Sequence, residues 1–201
     1  MVRIDEVVHS KDDTEALGIA PGDYIFFDPK TTITPSGFIK SRFLDDKISV
    51  AILFGLLYHL SKTKSQPTPT LKIILSTYEE VGHGAAFIPT VDELIAVDMG
   101  CIGEDLSCTE QMVSICAKDS SGPYDYRIIS KLVKNAEENH LSYATDIYPY
   151  YGSDVSAAYR GGNDIRGGLI GPGVHASHGM ERTHVDALEA TLKLLLVYIK
   201  E

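Results

Sequence analysis

Ser41-Arg-Phe-Leu-Asp-Asp-Lys-Ile-Ser-Val-Ala-Ile-Leu-Phe-Gly-Leu-Leu-Tyr-His-Leu-Ser-Lys62 is the stretch where the chain changes character. Asp45 and Asp46 stand at its start and Lys62 at its end, the charge order that complements a helix dipole. The run from Ile48 to Leu60 is the most apolar in the chain and is interrupted by Ser49, Gly55 and His59. At roughly 13 residues it is shorter than the about 20 that a bilayer requires, so it reads as a core helix over 46–62. Strand and helix patterns alternate from there on. Residues 71–75, 94–97, 112–116, 143–148 and 168–171 read as strands. Residues 124–139, 154–159 and 185–199 read as helices. Leu94-Ile-Ala-Val97 is nearly continuous in apolar residues, as in a strand buried on both faces. Ile128, Leu132 and Ala136 lie four apart, on one side of a helix. The alternation predicts a three-layer α/β/α sandwich with a mostly parallel sheet over residues 40–201.

Residues 1–39 follow another pattern. Val2 and Ile4 alternate with charges, as in a half-buried strand. Ser10 precedes Lys-Asp-Asp-Thr-Glu-Ala-Leu17 and can cap a short helix there. Pro21-Gly22-Asp23 makes a turn, and Tyr24-Ile-Phe-Phe27 reads as a strand. This is a small β-rich piece with little core of its own.

Composition narrows the function. The 201 residues hold 18 Lys and Arg against 28 Asp and Glu, a net charge of −10. So acidic a chain is no general partner for nucleic acid or an anionic membrane. Cys101, Cys108 and Cys116 show no C-x-x-C spacing and read as reduced, mostly buried thiols. The first nine residues lack the basic and apolar regions of a secretory signal, so a cytoplasmic protein is expected. Neither a phosphate-binding P-loop nor a dinucleotide fingerprint is present.

The carboxylates are informative by position. Glu79-Glu80 follows the 71–75 strand pattern, and Asp98 ends the 94–97 pattern. Sites in open α/β sheets form beyond the carboxyl ends of strands. Asp45-Asp46 lies before the long helix, and His178 sits in a glycine-bordered loop before the last one. Carboxylates with an imidazole suit zinc, cobalt or manganese. In an adjacent Glu pair, one carboxylate can bind metal while the other takes a proton from water. Taken singly, each feature has an ordinary reading: Asp-Asp caps helices, and Glu-Glu lies on solvated faces.

Five segments taken together are specific: Ser41-Arg-Phe-Leu-Asp-Asp-Lys47, Ser76-Thr-Tyr-Glu-Glu-Val-Gly82 with Gly84-Ala85, Ala96-Val-Asp98, Tyr151-Gly-Ser-Asp154 and Ser177-His-Gly-Met-Glu-Arg182. In order and spacing the chain resembles the M42 metallo-aminopeptidases, the glutamyl and tetrahedral (TET) aminopeptidases. Gly18-Ile-Ala-Pro-Gly-Asp23 is similar to the end of the small β domain of these enzymes. The resemblance implies a metal-dependent aminopeptidase acting on peptides through two divalent ions, and a homo-oligomer. It makes Asp45 the ligand shared by both metals, followed by Asp46 through a cis peptide. It makes Glu79 the general base, places Glu80 and His178 at one metal, and places Asp98 at the other. It also implies residues 1–39 as a remnant of the small β domain. The histidine that the second metal takes from an upstream His-x-Asp motif has no counterpart here. The chain is therefore expected to be a C-terminal portion or a shortened relative, holding two ions, one or none. Two alternatives stay open: a degenerate relative with an incomplete metal site and little activity, and a glycosidase working through paired carboxylates.

Overall fold

The structure, a computed structural model, describes residues 3–200. Helix α1 (Lys11–Ala16) opens with a capping box in which Ser10 and Asp13 satisfy each other's backbone N–H. A small antiparallel pair, β1 (Thr32–Ile33) and β2 (Phe38–Ser41), leads into α2 (Leu44–Thr63). After a 3-10 turn at Glu79–Val81 come β3 (Glu93–Val97), β4 (Gly100–Cys101), β5 (Val113–Asp119) and β6 (Gly122–Pro123). Then follow α3 (Tyr126–Glu138), β7 (Tyr143–Ile147), α4 (Asp154–Arg160), β8 (Arg166–Val174), β9 (Glu181–His184) and α5 (Val185–Tyr198).

The main sheet is built on β8 and β5. Strands β3 and β4 pair with β8 in parallel, and β7 pairs with β5 in parallel. Strand β5 runs antiparallel to β8, so the sheet is mixed. Apolar runs in sequence report burial on both faces but carry no direction, which is why this reversal was not legible. The alternation of side chains separates two faces. Ile115 and Ile170 pack with Ile52 and Leu56 of α2, Leu132 of α3 and Leu194 of α5. Their neighbours Cys116 and Leu169 pack on the other side with Val155 of α4. Helices on both faces of one sheet give the α/β/α layering that the sequence predicts.

Two strand expectations fail, and a third reaches outside the described residues. Residues 71–75 have no regular secondary structure and make no backbone–backbone hydrogen bond. Leu71, Ile74 and Leu75 are exposed. Their apolar pattern is real, but a strand needs a neighbour, and none of the described residues provides one. Tyr24–Phe27 is likewise irregular and exposed. Val2 lies outside the described residues, and Ile4 is not in a strand.

The sequence reading also lacked β9. It pairs antiparallel with β2, placing Ser41 opposite Glu181 and Phe38 opposite His184. This small sheet ties the entrance of α2 to the loop that carries His178.

Candidate metal centre

Four separate segments bring the site together. Asp45 and Asp46 lie at the start of α2, joined by a cis peptide and held out of helical geometry. Glu79 and Glu80 occupy the 3-10 turn, which Gly82 ends in a left-handed conformation (φ 81°). Asp98 follows β3, the strand end where such sites form. His178 lies in the loop before β9.

The His178 Nε2 is 3.1 Å from Glu80 Oε2 and 3.3 Å from Asp45 Oδ2. Ser177 Oγ donates to the same Asp45 oxygen at 2.7 Å. Asp45, Glu80 and His178 each offer a ligand atom within 4.8 Å of the others. Asp45, Asp46 and Asp98 do the same. Asp45 belongs to both groups. The structure thus brings together Asp45, Glu80, Asp98 and His178 and places Glu79 in their field. Asp46, which the sequence reading gave no ligand role, joins them.

The electrostatics are those of crowded acids. Burial, then Asp98, Asp154, Glu80 and Asp45, push the Glu79 carboxyl up to about 8. Burial and Asp45 raise Asp98 to about 7, against the opposing effect of Tyr151 and the Met99 backbone N–H. Burial, then Asp98, raise Asp46 as well. Burial and Asp45 raise Glu80, and His178 opposes them. Carboxylates this close disfavour one another's ionisation unless a cation neutralises them. One buried oxygen, Asp46 Oδ1, has no hydrogen-bond partner. An orphaned carboxylate oxygen among hard oxygen donors, with an imidazole at one end, fits divalent cations.

Comparison with known proteins gives the family. Residues 1–194 match the family described as M42 glutamyl aminopeptidase. The chain belongs to that family. "Putative aminopeptidase YhfE" of Bacillus subtilis (strain 168) is 50% identical over 201 residues, covering 99% of this chain and 58% of its own length. An aminopeptidase from the archaeon Desulfurococcus kamchatkensis superposes with a TM-score of 0.82 at 20% identity, over 96% of this chain and 57% of its own. The Pyrococcus horikoshii TET1 peptidase, which can assemble into a tetrahedron or a large octahedral shell, gives 0.78 at 21% identity, over 98% and 60%. The chain therefore spans somewhat more than half the length of these relatives.

Further residues shape the site. Ser76 Oγ donates to Asp154 Oδ2 at 2.6 Å, linking the Glu79–Glu80 turn to the start of α4. A Cβ on Gly84 would lie 2.8 Å from both Asp154 Oδ1 and the Glu79 backbone nitrogen, so only glycine permits this approach. Tyr151 and Asp154 stood in segments that the sequence reading quoted without assigning a role. Their signal was proximity in a motif, and their contacts are visible only in three dimensions. Two further histidines flank the site segments without joining either ligand group: His83 stacks on Tyr78 with ring centroids 5.0 Å apart, and His175 pairs with Arg182. The three cysteines are free, with thiols pushed up by burial to about 12.

Proposed function

We propose that this chain carries the metal centre of an aminopeptidase that releases N-terminal residues from peptides. The observation that carries this reading is Asp45, whose carboxylate stands in both candidate ligand groups. Asp45, Glu80 and His178 would hold one ion, and Asp45, Asp46 and Asp98 would hold the other. Two such ions supply Lewis acidity toward the scissile carbonyl and acidify water. Zinc or cobalt suits the imidazole-containing group, with manganese as an alternative.

Glu79 belongs to neither group and sits among them, half-buried. It is the base that takes the proton of the attacking water and returns it to the leaving amine. Residues 1–39 are read as the remnant of a small β domain. A homo-oligomer and a cytoplasmic location complete the proposal. The assembling TET1 relative supports the first. The unpaired thiols support the second, and among the described residues no helix is long and apolar enough to cross a membrane.

The Asp98 group contains only carboxylates among the described residues, so turnover by this chain is expected to be low. The test is an aminopeptidase assay with added Zn²⁺, Co²⁺ or Mn²⁺, run beside Glu79→Gln. That variant should lose about 10²–10⁴-fold in rate while keeping its metal content. Turnover that survives the substitution would refute the assignment of Glu79.

A further inference from the structure

Glu181 carries a task that neither its position in sequence nor the metal scheme assigns. It opens β9, opposite Ser41 of β2, and is 1% exposed. Its two carboxylate oxygens serve different loops. Oε2 accepts the backbone N–H of Asp45 at 2.9 Å, and Oε1 accepts the backbone N–H of His178 at 2.9 Å. Both donors belong to residues of one ligand group, and they lie 133 positions apart in the chain.

We infer that Glu181 is a positioning residue that sets the separation of Asp45 and His178 before any ion arrives. The inference rests on the metal reading given above. Three physical facts support it. A carboxylate is the side chain that can accept from two N–H groups at once without offering a donor of its own. Its charge strengthens both bonds, and the carboxylate itself is buried. Its backbone is fixed in a strand, whereas both partners leave regular geometry. His178 has φ 63°, Ala176 φ 59° and Phe43, two residues before Asp45, φ 63°. Non-glycine residues stay in such conformations when their surroundings over-determine them. Glu181 supplies that constraint to both loops with one side chain.

Glu181→Gln keeps the shape but replaces one acceptor with an NH2 group facing an N–H. The measurement is Zn²⁺ affinity by chelator competition for four proteins: wild type, Glu181→Gln, His178→Ala and the double variant. Glu181→Gln should weaken binding about 10–100-fold, the range seen when a group that orients a metal ligand is lost. The same change should cost clearly less once His178 is alanine, because only the hold on Asp45 is then left to lose. Equal weakening in both backgrounds would mark a general loss of structure and overturn the inference, as would wild-type affinity in Glu181→Gln. If His178→Ala alone binds Zn²⁺ like wild type, the metal reading itself falls, and the Glu181 inference falls with it. Should Glu181→Gln not fold, amide hydrogen exchange of the wild type decides. Asp45 and His178 are expected to be protected, and rapid exchange at either would overturn the inference.

Discussion

The two halves of the candidate metal centre share Asp45 and differ in nearly everything else. On one side, His178 is 72% exposed in its side chain and Glu80 54%, and a neutral donor joins the carboxylates. On the other, Asp98 is 6% exposed and the donors are three aspartates whose backbones are fixed at a strand end and a helix entrance. One half is open and chemically mixed. The other is enclosed and uniformly acidic. An imidazole ligand favours zinc or cobalt, whereas an all-oxygen set suits harder ions such as manganese. The halves should therefore load in sequence rather than together, the His178 side first with zinc.

Three measurements can break this contrast or sharpen it. The largest effect is expected from Asp45→Ala, which removes the shared ligand. Metal content by mass spectrometry should fall to none under conditions where wild type retains at least one ion, and any retained ion would show that the halves are independent. A smaller effect is expected from comparing His178→Ala with Asp98→Asn. The first should abolish the tighter zinc step and leave the weaker one. The second should do the reverse, as read by stepwise calorimetric titration. The smallest effect is in stability against pH, measured with chelator present. Glu79 and Asp98 titrate near 8 and 7 in the folded chain, whereas unfolded carboxyls titrate near about 4. The folded state thus binds more protons between these limits. Stability should be highest below about pH 4 as far as these two groups are concerned, and should fall as pH rises through 7 to 8. Saturating Zn²⁺ should flatten that fall, and an identical slope with and without metal would separate these carboxylates from the ion site.

Much of the fold was readable because its signals are local. The spacing of Ile128, Leu132 and Ala136 gave α3, and all three are buried as expected. The acids before residue 47 and the apolar run after it gave α2. Strand β8 was read as four residues and spans nine, because its glycines look like a loop. They are there for contact: a Cβ on Gly171 would lie 1.9 Å from the Asp98 carbonyl oxygen. The site divides in the same way. Asp98 stands at the end of a strand as its pattern implies; the strand expected before the Glu pair does not form, so that pair, like His178, rests on the resemblance. The roles of Glu181 and Asp154 were not legible. One accepts from backbone groups and the other from a serine far along the chain, and no spacing in sequence reports such partners. Leu71–Leu75 is the converse case, a clear local signal whose fulfilment depends on a neighbour elsewhere.

That segment bears on how the protein behaves in solution. Leu71-Lys-Ile-Ile-Leu75 offers apolar side chains and unpaired backbone groups at the surface, which is a template for strand addition between copies. Its one charge, Lys72, is engaged with the Thr90 carbonyl oxygen at 2.7 Å. The net charge of −10 carried by the whole molecule opposes pairing there. Salt shortens the reach of that repulsion to about 8 Å at physiological strength and leaves the template untouched. Added salt should therefore favour pairing of copies through this segment, and dilute buffer should oppose it.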